Sequence, residues 1–298
     1  MSDTERLASK LLQCSMARWM ITGSGGRIGS CLLERLGADA LGLPRAELDV
    51  TSAAVTSAQV LAAAPSIVVN AAGYSAVDAA EHDQDAAFAT NATAVAHLVA
   101  ACAMLDAQLI QISSDLVFDG SSPRPYEPGD PTAPTTAYGR SKLAGERFAL
   151  AGNAIVVRTG WVYGGRSGDF VDSMIKLAML HEPVDVVDDQ QGSPVFVGDL
   201  CDALIALGER ALTPRVLHYA NTGVASWFDL AQVVFAAAGA DPDLVSPTAS
   251  VDLAQPAPRP AYSVLSSASW VEAGLPEPRS WRPAVDAYVR ARVATLRG

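Results

Sequence analysis

Trp19-Met20-Ile21-Thr22-Gly23-Ser24-Gly25-Gly26-Arg27-Ile28-Gly29 joins a short apolar run to the start of a helical pattern. Glycines at 23, 26 and 29 permit a tight turn, close approach of a pyrophosphate to the backbone, and close packing of helix on strand. The helix opening at Arg27 would present free amides and the positive end of its dipole to that phosphate. A glycine-rich turn alone is weak evidence. Between an apolar strand and a helix, it predicts a dinucleotide site formed by Gly23, Gly26, Arg27, Ile28 and Gly29.

The same alternation continues outward from this turn. Apolar strand patterns at Arg18–Thr22, Ala40–Leu43, Ile67–Asn70, Leu109–Ser113, Ile155–Thr159 and Val216–Ala220 are separated by helical patterns at Arg27–Leu36, Ser52–Ala64, Ala86–Leu105 and Thr136–Ala151. Near-continuous apolar strands between helices of this length predict a parallel sheet covered on both faces. The fold class is therefore α/β: a Rossmann-type, doubly wound parallel sheet with a smaller C-terminal substrate-binding lobe. Residues 18–163 and 194–222 are assigned to the dinucleotide-binding domain. Residues 164–193 and 223–298 are assigned to the lobe, and residues 1–17 to a disordered tail. The loop Ser121–Pro134 holds five prolines just ahead of the fourth helix, where the rim of a site is expected.

Composition narrows the function. The chain has 298 residues, half of them apolar, which suffices for a large core. A net charge of −11 argues against nucleic acid or an anionic membrane as partner. The most apolar run, Ala86–Leu105, is broken by Thr90, Asn91, Thr93 and His97, so it reads as a buried helix and not a membrane span. Cys14, Cys31, Cys102 and Cys201 lie far apart, which suits free thiols in a reducing cytoplasm. The histidines show no ligand spacing, and no metal site is expected.

Several strand ends carry chemistry. After the second strand, Leu43-Pro44-Arg45 stands where an acidic residue would bind a ribose 2′-hydroxyl. An arginine there pairs with a 2′-phosphate, which favours NADPH and leaves NADH possible. A plain turn residue is the alternative. Asp49 and Val50 follow where the adenine would lie, though Asp49 also suits a helix cap. Asn70-Ala71-Ala72 ends the third strand with small side chains that let a nucleotide approach. Ser113-Ser114-Asp115 ends the fourth. Tyr138 and Lys142 stand four apart on one helix face, one turn from each other. A nearby ammonium favours the phenolate, which predicts a phenol with a lowered pKa that can exchange its proton.

These features together resemble the dTDP-4-dehydrorhamnose reductase family of extended short-chain dehydrogenase/reductases. The resemblance also rests on Tyr74–Glu81, Ser113–Gly120, Arg158–Tyr163, Asp188–Pro194, and Arg259-Pro260 with Ser263 and Leu265. It implies that Tyr138 is the proton donor, Lys142 its activator and ribose anchor, and Ser114 the hydroxyl on the keto oxygen. It further implies that Asp115, Ser75 and Val77 lie at the sugar and that Trp161 lines the substrate pocket, where an indole can stack on a base or sugar face. A core tryptophan is the alternative for Trp161. The partner implied is a dTDP-sugar, and a homodimer is left open. Three positions depart from the family: Leu116 replaces a usual tyrosine, Gly73 interrupts an alanine-rich motif, and Val195 replaces a usual threonine. The first bears on which sugar is taken, since a ketoreductase for another nucleotide deoxysugar would tolerate it. A non-catalytic regulatory subunit on the same fold is the rival from a different class, and the intact Ser114, Tyr138 and Lys142 argue against it.

Overall fold

The computed structural model describes residues 18–166, 168–253 and 255–297; the tail expected at 1–17 lies outside the described residues. The first half alternates strands with helices, two of them between β3 and β4: β1 (Trp19–Thr22), α1 (Arg27–Leu36), β2 (Ala40–Leu43), α2 (Ala53–Ala63), β3 (Ile67–Asn70), α3 (Val77–His82), α4 (Gln84–Ala103), β4 (Gln108–Ser114), α5 (Ala137–Ala151) and β5 (Ile155–Thr159). The second half runs β6 (Val162–Tyr163), α6 (Phe170–Leu180), β7 (Val184–Val187), β8 (Gln191–Gly192), β9 (Val195–Phe196), α7 (Val197–Gly208), β10 (Val216–His218), β11 (Ala225–Ser226), α8 (Trp227–Ala238), β12 (Val245–Thr248), α9 (Ala268–Glu272) and α10 (Trp281–Arg297).

The central sheet has the order β10-β5-β4-β3-β1-β2, with every pair parallel. Successive residues of each strand point to opposite faces. Trp19, Ile21, Ile67, Val69, Ile110 and Ile112 pack with Leu32, Leu200 and Leu204 of α1 and α7. Met20, Val68, Leu109 and Val156 pack with Val60, Val95 and Leu98 of α2 and α4. Both faces are thus apolar and covered, which is why the strands carry no polar alternation. The chain leaves β1 toward β2 on one side and β3 on the other. A crevice opens at such a reversal beyond the carboxyl ends of the strands.

Helix α4 is long and apolar enough to cross a membrane, but its Ala94, Val95, Leu98, Ala101 and Cys102 are buried against the sheet. Three of its four polar interruptions, Thr90, Asn91 and Thr93, fall in a π turn in mid-helix, Ala89–Thr93. A second apolar cluster joins α6, α8 and α10 through Ile175, Phe235 and Trp281. It is capped by the short pairs β12–β7 and β11–β8. Leu265, Trp270 and Leu275, although late in the chain, pack into the sheet's own core, as does Val195.

Candidate active site

Two cavities open at the switch point. The smaller, about 200 Å³, is lined by Gly23, Gly26, Arg45, Asp49, Val50, Ala71 and Ala72. Gly23 has φ +62°, and a Cβ there would fall 2.7 Å from the Ala72 backbone. The turn after β1 and the end of β3 therefore approach as only glycine allows. A Cβ on Gly29 would meet Gly23 O at 2.4 Å, so Gly29 serves the closure of the turn and lines neither cavity. Asn70 also lines neither. Its side chain accepts from Thr22 Oγ1 at 2.6 Å and donates to Gln111 Oε1 at 2.7 Å, tying β1, β3 and β4 together. Asp49 accepts from Thr51 N and Thr51 Oγ1, and these bonds hold its carboxyl below the usual range.

The larger cavity, about 760 Å³, brings together Arg27, Ile28, Ser75, Val77, Ser114, Asp115, Leu116, Tyr138, Lys142 and Trp161. Its size suits a small-molecule site. Thr136 caps α5 by accepting from Gly139 N at 2.9 Å, which starts the helix one residue before Tyr138. A Cβ at Gly139 would meet Leu116 O at 2.1 Å, so the helix end lies directly on the turn after β4. That contact carries Tyr138 to Ser114, whose hydroxyl hydrogen-bonds the phenol and donates to Asp115 Oδ1 at 2.9 Å. Asp115 is buried, also bonded to Ser263, and pushed up to about 6 by desolvation. Gly160 leaves room for it, since a Cβ there would fall 2.5 Å from the carboxyl carbon.

One expectation from the Tyr–Lys spacing is corrected. Burial pushes the Tyr138 phenol up to about 12; the Ser114 bond opposes this, and the Asp115 charge adds to it. No Lys142 effect outweighs this burial, and its ammonium donates to Ile112 O at 2.6 Å. The phenol is a protonated acid across the physiological range. Lys142 is the group that titrates nearby: desolvation lowers it to about 8, and the Glu146 charge one turn further on opposes the shift. A lysine with a depressed pKa carries its charge below that value and loses it above. We expect kcat/KM for NADPH to fall as pH rises through about 8, since this ratio reports groups of the free enzyme. A profile flat to the alkaline limit of the assay would remove the ammonium from cofactor capture.

Some participants carried little local signal. Asn91, in the π turn, accepts from Tyr74 N at 2.9 Å and donates to Tyr74 O and Ser141 Oγ. Ser141 in turn donates to Tyr138 O at 2.7 Å. A polar residue inside an apolar helix was the available clue, and π turns recur at functional sites. Gly73 stands where the two cavities meet; a Cβ there would lie 3.3 Å from Asn91 Oδ1, so the departure from alanine relieves this corner. The Arg27 side chain crosses to the second half of the chain, donating to Gly164 O at 2.6 Å and pairing with Asp169 at 2.5 Å. Asp169 caps α6, whose Phe170 and Met174 also line the larger cavity. One face of Trp161 is covered, because Trp227 lies flat against it with ring centroids 3.6 Å apart.

The family of the RmlD substrate binding domain matches residues 17–293. The chain belongs to that family. It is 49% identical to the dTDP-4-dehydrorhamnose reductase of Mycobacterium tuberculosis over 278 residues, covering 90% of this chain and 91% of that protein. It is 42% identical to a probable dTDP-4,6-dihydroxy-2-methyloxan-3-one 4-ketoreductase of Streptomyces antibioticus, covering 90% and 93%. The crystal structure of dTDP-4-dehydrorhamnose reductase from Bacillus anthracis in complex with NADP superposes with a TM-score of 0.88 at 33% identity, covering 91% of this chain and 98% of that one. As an RmlD-family member, the chain has the sheet, the switch-point crevice and the second lobe core in one continuous match.

Proposed function

We propose that this chain reduces the C4 keto group of a dTDP-4-keto-6-deoxysugar with NADPH, converting dTDP-4-dehydrorhamnose to dTDP-L-rhamnose. The observation that carries the reading is the convergence of Ser114, Tyr138 and Lys142 on one wall of a cavity continuous with the glycine turn. NADPH, when bound, supplies the hydride. The close approach of Gly23 to Ala72 fits a dinucleotide laid against backbone, and Arg45 at the mouth of the smaller cavity fits its 2′-phosphate. With substrate bound, the Ser114 hydroxyl turns its single proton from Asp115 Oδ1 to the substrate's keto oxygen and polarises it. Tyr138 gives its proton to that oxygen as charge develops there. Lys142 holds the ribose. The free thiols of Cys31, Cys102 and Cys201 are in keeping with a cytoplasmic setting. The purified protein should oxidise NADPH only when a dTDP-4-keto-6-deoxysugar is added, with one equivalent of 4-hydroxy product formed. NADPH consumption with no sugar in such a panel would end the reading.

Arg45 gives a test of cofactor choice. A charge-assisted hydrogen bond contributes about 1.5–3 kcal/mol, so Arg45→Ala should weaken NADPH by roughly tenfold to a hundredfold. NADH should be nearly unaffected. Equal loss for both cofactors would leave Arg45 a turn residue.

A second reading, reduction of a different dTDP-linked deoxysugar, is favoured by Leu116. This residue lines the larger cavity beside Ser114 and offers only apolar contact. A phenol there could donate to a sugar hydroxyl, a bond contributing on the order of 1 kcal/mol. Leu116→Tyr should therefore raise kcat/KM for dTDP-4-dehydrorhamnose severalfold relative to a more deoxygenated 4-keto sugar. An unchanged ratio, whatever the melting temperature does, would take Leu116 out of sugar selection.

A further inference from the structure

Trp161 has a backbone φ of +48°. For a bulky non-glycine residue this left-handed conformation is strained, and it persists only where the surroundings enforce it. Here the surroundings are specific. Trp227 lies on the indole with planes 6° apart. On the Nε1–Cε2–Cζ2 side, Gly192 comes so close that a Cβ would fall 2.3 Å from Cε2. Trp227 is fixed in turn. It is the first residue of α8, which starts at a capping box in which Ser226 Oγ accepts from Asp229 N and Asp229 accepts from Ser226 N. Phe170 packs on it at 4.8 Å between centroids. Trp161, Trp227 and Phe170 all border the larger cavity, and Trp161 follows Thr159, which is in register with Ser114. The strained residue is thus clamped between α8 and β8, two residues beyond the end of β5, the strand paired with the one that carries Ser114.

We infer that Trp227 is a positioning residue for the sugar nucleotide: by stacking on Trp161 it holds that indole in its strained conformation and so fixes the wall against which the substrate is seated. Neither proton nor hydride transfer needs it, so its contribution falls on substrate binding. The inference rests on the larger cavity being the sugar-nucleotide site, and binding of dTDP alone to the wild-type protein, measured by calorimetry, tests that premise separately.

Trp227→Ala should raise the Kd for dTDP and the KM for the dTDP-sugar by roughly tenfold, while the Kd for NADPH stays within about twofold, because an aromatic pair contributes measurably beyond its buried area. Trp227→Phe, which can still stack, should recover most of that loss. Trp161→Ala should cost at least as much as Trp227→Ala. The double variant should be no worse than Trp161→Ala alone, since residues acting through one contact are not additive. The far-ultraviolet exciton couplet of two stacked indoles should be present in the wild type and absent from either single alanine variant. Additive losses in the double variant would mean that Trp227 meets the ligand independently, and would overturn the inference. So would a Trp227→Ala protein with unchanged dTDP binding, or one whose NADPH affinity falls as far as its dTDP affinity. Failure of the wild type to bind dTDP would instead reject the reading of the cavity.

Discussion

Tyr138→Phe should lower kcat by at least about 10², with NADPH affinity nearly intact, because general acid catalysis contributes roughly 10²–10⁴-fold. The geometry sharpens the expectation. The phenol is hydrogen-bonded to Ser114, stands near the buried Asp115 carboxyl, and has its pKa pushed up to about 12, so it enters the reaction protonated. Phenylalanine keeps the ring's packing beside Tyr74 and removes only the proton. Single-turnover measurement with saturating NADPH separates the chemical step from binding. Near-normal turnover would mean that another group, Asp115 or solvent, protonates the product oxygen.

The second large effect is on stability. Arg158 and Glu146 form a bidentate pair at 2.8 and 2.7 Å, with side-chain exposures of 5% and 2%. Ser113 donates to the same carboxylate, and the Arg158 guanidinium lies over the Phe118 ring at 5.0 Å. Removing one partner of a buried pair leaves an uncompensated charge and costs about 3–5 kcal/mol. Arg158→Ala should therefore shift the urea midpoint strongly at constant slope. Replacing both residues by apolar ones of similar volume should restore much of the loss, as replaced buried pairs often do. A cost below about 1 kcal/mol for Arg158→Ala would show that water reaches Glu146 and that the pair is not dry. The pair also bears on chemistry, because Glu146 lies one turn past Lys142 and its charge supports the ammonium.

How much of this was legible in the sequence depends on the range of the physics involved. Strand positions followed from apolar runs buried on both faces. Arg27–Leu36 followed from a glycine turn and Ala137–Ala151 from a helical pattern, signals within a few residues. The meeting of Ser114, Tyr138 and Lys142 at one cavity was legible because a strand end and a helix start bring them together. The direction of the phenol's pKa was not, because spacing shows a lysine four residues away but not the burial that outweighs it. The Arg27–Asp169 bridge and the Trp161–Trp227 stack join positions 142 and 66 apart, and no local pattern marks either. Asn70 looked like a nucleotide contact because it ends a strand, yet its neighbours in the sheet claim both ends of its amide.

The π turn at Ala89–Thr93 divides α4 into two phases. Before it, Ala87 faces a small cluster with Ala80, Ala137, Tyr74 and Tyr138; after it, Val95, Leu98 and Cys102 face the sheet. Each residue of an α-helix advances about 100° around its axis, so the extra residue in the turn re-aims everything downstream by that amount. The carbonyl it displaces, Asn91 O, presses against α5, where a Cβ at Gly145 would fall 2.0 Å away. A one-residue deletion here would scarcely shorten the helix. It would rotate one segment against the other, so that either the cluster beside Tyr138 or the hydrophobic seam loses its alignment. At this point chain length is constrained as tightly as packing is elsewhere in the core.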